Sequence, residues 1–221
     1  MLIAAAVCPH PPLLVPEIAG LAAPELDGLR AACRTAVDSV LAAGGDLVVV
    51  GGGEHTRAHP GTASGTFAPW GLDLRVGDGA PVLPLSLTVG RWLLDGREPS
   101  AFQEIASDAS EAECLELGER LAARDVALLV MGDGSACRDE KAPGYFDERA
   151  APYDAEVARA LGEADAAALG RLDPKLSEEL MAAGRAAWQV LAGAAGGRRF
   201  AAALLADEAP YGVGYFAAVW R

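Results

Sequence analysis

The chain carries three histidines, and two of them stand where an α/β protein builds its site. His10 lies in Cys8-Pro9-His10-Pro11-Pro12-Leu13-Leu14, just after the apolar run of residues 2–7. His55 lies in Gly51-Gly52-Gly53-Glu54-His55, just after a second apolar run, residues 47–50. In an open parallel sheet, ligands gather in the crevice beyond the carboxyl ends of the strands. Two imidazoles delivered there suit a metal or acid–base site better than two unrelated loop caps. His59 competes with His55, because the two are four residues apart and would share a face on a helix. Glycines before and Pro60-Gly61 after favour a loop instead. His55 is therefore the expected ligand, with His59 a supporting or surface residue.

The elements that must position these residues alternate along the chain. Residues 2–7 read as a buried strand ended by prolines, which cannot continue a ladder. A helix is expected over 24–43 and a second buried strand over 46–50. That βαβ pattern predicts that strands 2–7 and 46–50 pair in parallel. A short strand is expected at 72–76 and a helix at 85–94. A clearer helix spans 110–124, with Ser110 and Glu113 at capping-box spacing. The run 126–131 reads as a third buried strand. Helices follow over 147–169 and 176–191, the second interrupted by Gly184, and strands over 200–205 and 213–220 close the chain. The expected fold is a three-layer α/β/α sandwich with a mainly parallel central sheet, built as one domain over residues 1–221. Tyr215, Phe216 and Trp220 are expected to serve a core strand.

Composition excludes several classes of function. Apolar residues make up 52% of the 221 residues and aromatics only 6%, so the core must come mainly from Ala, Leu and Val. A formal charge of −13 opposes nucleic acid and anionic membrane as partners. No apolar run is as long as a membrane span requires, and the start lacks the positive segment of a signal peptide. Cys8, Cys33, Cys114 and Cys137 form no C-x-x-C pair, which suggests a reduced, cytoplasmic protein. The turn Gly51-Gly52-Gly53-Glu54 has neither the Lys-Ser/Thr of a phosphate loop nor a dinucleotide fingerprint, and Glu54 would repel phosphate.

Pro9-His10-Pro11-Pro12-Leu13, the His55 turn and the loop after the third strand together resemble the class III extradiol dioxygenase family in its catalytic B-subunit-like form. Memo proteins belong to the same wider superfamily. The resemblance implies an α/β protein that holds non-haem Fe(II) with two histidines and a carboxylate and uses O2 to open catechol rings. Such a set occupies one face of an octahedron and leaves the other positions open. Carried onto this chain, the ligands are His10, His55 and Glu208, with Asp207 the alternative within Ala206-Asp207-Glu208-Ala209-Pro210. Zn2+ suits the same ligands and would make the protein a hydrolase. The implied partners are a small-molecule substrate of aromatic type and O2. A homo-oligomer is open as well.

One departure from the family pattern matters. Family members carry an acid–base histidine in a Gly-Gly-x-Ser-His turn, whereas this chain reads Met131-Gly132-Asp133-Gly134-Ser135-Ala136-Cys137. Positioned proton transfer typically contributes ~10²–10⁴-fold. Cys137, Asp133 or His59 would have to replace it, and a thiol with an unperturbed pKa near ~8.5 is a poor substitute. The sequence thus supports two readings: a metal-dependent oxygenase with an altered acid–base group, or a Memo-like protein that binds a metal or partner without cleaving rings.

Overall fold

The computed structural model describes residues 1–221. Nine strands form: β1 (Leu2–Cys8), β2 (Asp46–Gly53), β3 (Arg57–Pro60), β4 (Gly65–Thr66), β5 (Arg75–Val76), β6 (Ala101–Ala106), β7 (Val126–Met131), β8 (Ala202–Glu208) and β9 (Tyr215–Trp220). Eight α-helices accompany them: α1 (Pro16–Ala19), α2 (Asp27–Ala42), α3 (Leu85–Leu93), α4 (Glu111–Leu121), α5 (Ala150–Glu163), α6 (Ala166–Gly170), α7 (Pro174–Glu179) and α8 (Arg185–Ala195).

Seven strands join one sheet in the order β3-β6-β2-β7-β1-β9-β8, while β4 and β5 make a separate two-stranded ribbon. The four central strands are parallel, through β6–β2, β2–β7 and β7–β1. Both flanks are antiparallel, through β3–β6 on one side and β1–β9 and β8–β9 on the other. The expected mainly parallel sheet is therefore a mixed one. The strands of the first βαβ unit run parallel as predicted, but they do not pair with each other, because β7 lies between them.

Strand alternation assigns the core to two faces. Val126, Leu128 and Val130 of β7 face a cluster that includes Val157 and Leu161 of α5 and Trp188 and Leu191 of α8. Ala127, Leu129 and Met131 face the other cluster, with Cys33, Val37 and Val40 of α2 and Leu87 and Leu93 of α3. Successive side chains of a strand point to opposite faces, so one fully apolar strand can serve two helical layers. Tyr215, Phe216 and Trp220 are buried on β9, inside the sheet. All four cysteines are buried and unpaired. No helix is long and apolar enough to cross a membrane.

Local signals explain several boundaries. Ser110 Oγ accepts from the Glu113 amide at 3.3 Å, and the Ser110 amide donates to Glu113 Oε2 at 2.9 Å, closing the expected capping box of α4. The single helix expected over 147–169 is broken after α5, where Ala164 takes a left-handed conformation at φ 52°. The helix expected over 176–191 splits into α7 and α8 around Met181, at φ 53°, and Gly184. The helix expected from residue 24 begins as α2 at Asp27, after a 3-10 turn over Gly20–Leu26.

Helices α4 and α8 touch through their backbones. A Cβ on Gly118 would strike the Val190 carbonyl oxygen, so this crossing requires glycine. Gly118→Ala should lower unfolding stability by ~1–3 kcal/mol, the usual cost of overpacking, measured by urea denaturation. Unchanged stability would contradict the close approach.

Candidate ligand cleft

The carboxyl ends of β1, β2 and β6 open into a cleft of about 790 Å3. Its polar lining includes His10, Arg57, Ser86 and Glu104, and its apolar lining comes from Trp70 and the segment Pro81-Val82-Leu83-Pro84-Leu85. The position follows from the fold. Parallel strands end on one side of the sheet, and the turns that leave them must form the rim.

His10 follows β1 directly and is held by its neighbours on both sides. Its backbone N–H donates to Asp133 Oδ1 at 2.6 Å, while Pro11 and Pro12 have no N–H to satisfy. The imidazole is buried, and its Nδ1 lies 3.6 Å from the same Asp133 oxygen, beyond hydrogen-bond range. Nδ1 is a buried polar atom without a partner in the protein. Such atoms are rare in native folds, and one beside a cleft points to a function. Burial pushes the Asp133 carboxyl above its ordinary range, partly offset by the neighbouring His10. Burial, with a further contribution from the negative charge of Asp133, likewise raises the Tyr215 hydroxyl.

Glu104 forms the second centre. Arg57 lies opposite Glu104 in the antiparallel β3–β6 pair, and His59 is two residues along β3, on the same face. Arg57 Nε donates to Glu104 Oε2 at 2.8 Å, and His59 Nε2 lies 3.0 Å from that oxygen. The His55 backbone N–H donates to Glu104 Oε1 at 3.1 Å. Room for the carboxylate comes from the glycine run, since a Cβ on Gly53 would collide with Glu104 Oε1. The run Gly51-Gly52-Gly53 thus makes space for packing at the end of β2. Burial alone would raise the Glu104 carboxyl, but the bonds from Arg57, His59 and the His55 amide outweigh it and hold the group below the usual glutamate range.

The expected residues divide as follows. His10 lines the cleft with Asp133 against its ring. His59 is buried on Glu104 and does not line the cleft itself. His55 contributes its amide, and its side chain is exposed. Glu208 ends β8, with Oε1 3.7 Å from where a Cβ on Gly28 of α2 would lie. A carboxylate is favoured beside the first turn of a helix. Asp207 is exposed and close enough to Asp154 to raise its carboxyl further, after burial. Cys137 is buried with its thiol 3.4 Å from the Leu180 carbonyl and 3.5 Å from that of Gly144, away from the cleft wall. No three His, Cys, Asp or Glu side chains come together as a metal-holding group. His10, His55 and Glu208 therefore do not form a closed donor set in this arrangement.

Glu104, Arg57 and Ser86 were not expected from the sequence. Only Glu104 left a cue, and a weak one: β6 reads Ala101-Phe102-Gln103-Glu104-Ile105-Ala106, with two polar residues in the middle of a buried strand.

No protein-family model and no curated protein matches the chain. Among solved structures, the chain is similar to an uncharacterized protein of Escherichia coli K12, JW3007, with a TM-score of 0.57 and 15% identity over 99% of each chain. At that identity the likeness concerns the α/β fold alone.

The Glu104 cluster should leave a pH signature. A carboxyl whose folded pKa is depressed stabilises the fold above its ordinary range, and that contribution is lost as the pH falls through the folded value. Glu104→Gln should therefore flatten the acid limb of the stability–pH curve, measured by thermal unfolding. Asp133 and Asp154, raised by burial, act with the opposite sign and are common to both proteins. An acid limb identical to that of the unmodified protein would contradict the role given to Glu104.

Proposed function

We propose that this protein binds a small molecule in the carboxyl-end cleft through His10, on a three-layer α/β/α framework of the extradiol dioxygenase type, and that it does not cleave catechol rings. The observation that carries the reading is the His10 imidazole. The residue lines the cleft, its buried Nδ1 has no hydrogen-bond partner and lies 3.6 Å from Asp133, and neither His55 nor Glu208 is among the lining residues. The replacement of the family's acid–base histidine by Ala136-Cys137 supports the same reading, since the Cys137 thiol faces carbonyl groups and not the cleft. Apolar and polar side chains lining one concave site are the usual setting for a small ligand.

One feature favours a second, metal-dependent reading with Fe(II) or Zn2+. A carboxylate behind one nitrogen of an imidazole is the arrangement that orients metal-bound histidines, and Asp133 stands behind His10 Nδ1.

Amide NMR spectra titrated with catechol, benzamide and benzoate test the proposal, alongside O2 uptake with Fe(II) supplied to anaerobically prepared protein. At least one probe should shift residues around the cleft, His10→Ala should remove those shifts, and catechol should drive no O2 uptake. Ring cleavage that disappears in His55→Ala would overturn the proposal in favour of the iron-dependent reading. Absence of any cleft shift would overturn it outright.

A further inference from the structure

We propose that Arg57 anchors the ligand of this cleft by its carboxylate, and that the cleft selects singly charged acids over phosphate. The inference rests on the small-molecule reading above and names the chemistry of that ligand. Arg57 is the one cationic side chain lining the cleft. Its Nε is taken up by Glu104, whereas its terminal nitrogens make no hydrogen bond within the protein. A guanidinium held at one edge presents the remaining N–H groups as a fork, the geometry that meets a carboxylate with two parallel bonds. Half of the Arg57 side chain is exposed, so the fork is open to a ligand.

The holder is rigid. Glu104 is buried, bonded to Arg57, His59 and the His55 amide, and seated in the space left by Gly53. A preorganised guanidinium loses less side-chain freedom on binding than a free surface arginine. A second polar side chain of the same cleft is His10, held in place through its backbone amide on Asp133. Trp70 and the Pro81-Val82-Leu83 wall offer apolar contact to the body of the ligand.

Two exposed acids set the charge limit. Glu54 and Asp108 line the cleft, and neither is neutralised by an ion pair. With Glu104 counted, three carboxylates face the single guanidinium of Arg57, so the cleft opposes a ligand in proportion to its negative charge. A monoanionic carboxylate, which takes two parallel bonds from the guanidinium, is opposed less than a dianionic phosphate.

Amide NMR titrations with benzoate, benzamide and inorganic phosphate test the inference on the full chain. Benzoate should shift residues around Arg57, phosphate should not, and Arg57→Gln should weaken benzoate at least tenfold while leaving benzamide unaffected. Glu104→Gln, which frees the guanidinium without removing it, should weaken benzoate less than Arg57→Gln does. Benzoate bound equally well by Arg57→Gln, or phosphate bound better than benzoate, would overturn the anchor and leave the small-molecule reading intact. Benzamide binding without benzoate binding would do the same. Cleft residues unmoved by every probe would overturn both.

Discussion

A carboxylate taken out of water costs several kcal/mol unless partners replace its hydration. Glu104 is such a group, and the edge of the sheet is arranged around it. Its two oxygens collect the Arg57 guanidinium, the His59 ring and the His55 amide. Those partners come from the turn after β2 and from β3, so one buried charge ties the end of a central strand to the antiparallel edge. The same contacts remove His59 from free solution and aim Arg57 along the cleft wall. Removing Arg57 would strip the buried carboxylate of its charged partner, and removing either other donor would leave one of its oxygens short of a hydrogen bond.

Against this organisation, the ligand set implied by the extradiol resemblance separates into parts with different physical roles. His10 stays at the site because the proline-rich turn after β1 and the Asp133 carboxylate fix its backbone. His55 is held through its amide, which serves Glu104, and that leaves the imidazole to solvent. Glu208 sits at the end of a flanking strand beside the first turn of α2. Asp133, considered as a substitute for the missing acid–base histidine, stands against His10. It holds the His10 backbone amide at 2.6 Å and lies 3.6 Å from the ring nitrogen, so it fixes the turn that carries the imidazole.

What could be read from the sequence follows the strength of each local signal. The runs at β1, β2 and β7 are short, apolar and ended by Pro or Gly, and they form strands where expected. The capping residues of α4 fix its start. Strand order was not legible, because β7 inserts between β1 and β2 through contacts far apart in the chain. Strand β6 escaped notice because Gln103 and Glu104 interrupt its apolar pattern, and β3 because Arg57, His59 and Pro60 read as a polar turn. The placement of His10 after the first strand was visible in advance; the Glu104 cluster was not, since its charge is made tolerable only by partners that the fold brings together.

The most direct test of this account is a carbon-13 NMR titration of the Glu104 side-chain carboxyl. A group held by three donors should titrate below the ordinary glutamate range, and its midpoint should rise in Arg57→Gln. A midpoint at or above the ordinary value, unmoved by loss of Arg57, would contradict the claim that this buried carboxylate organises the cleft.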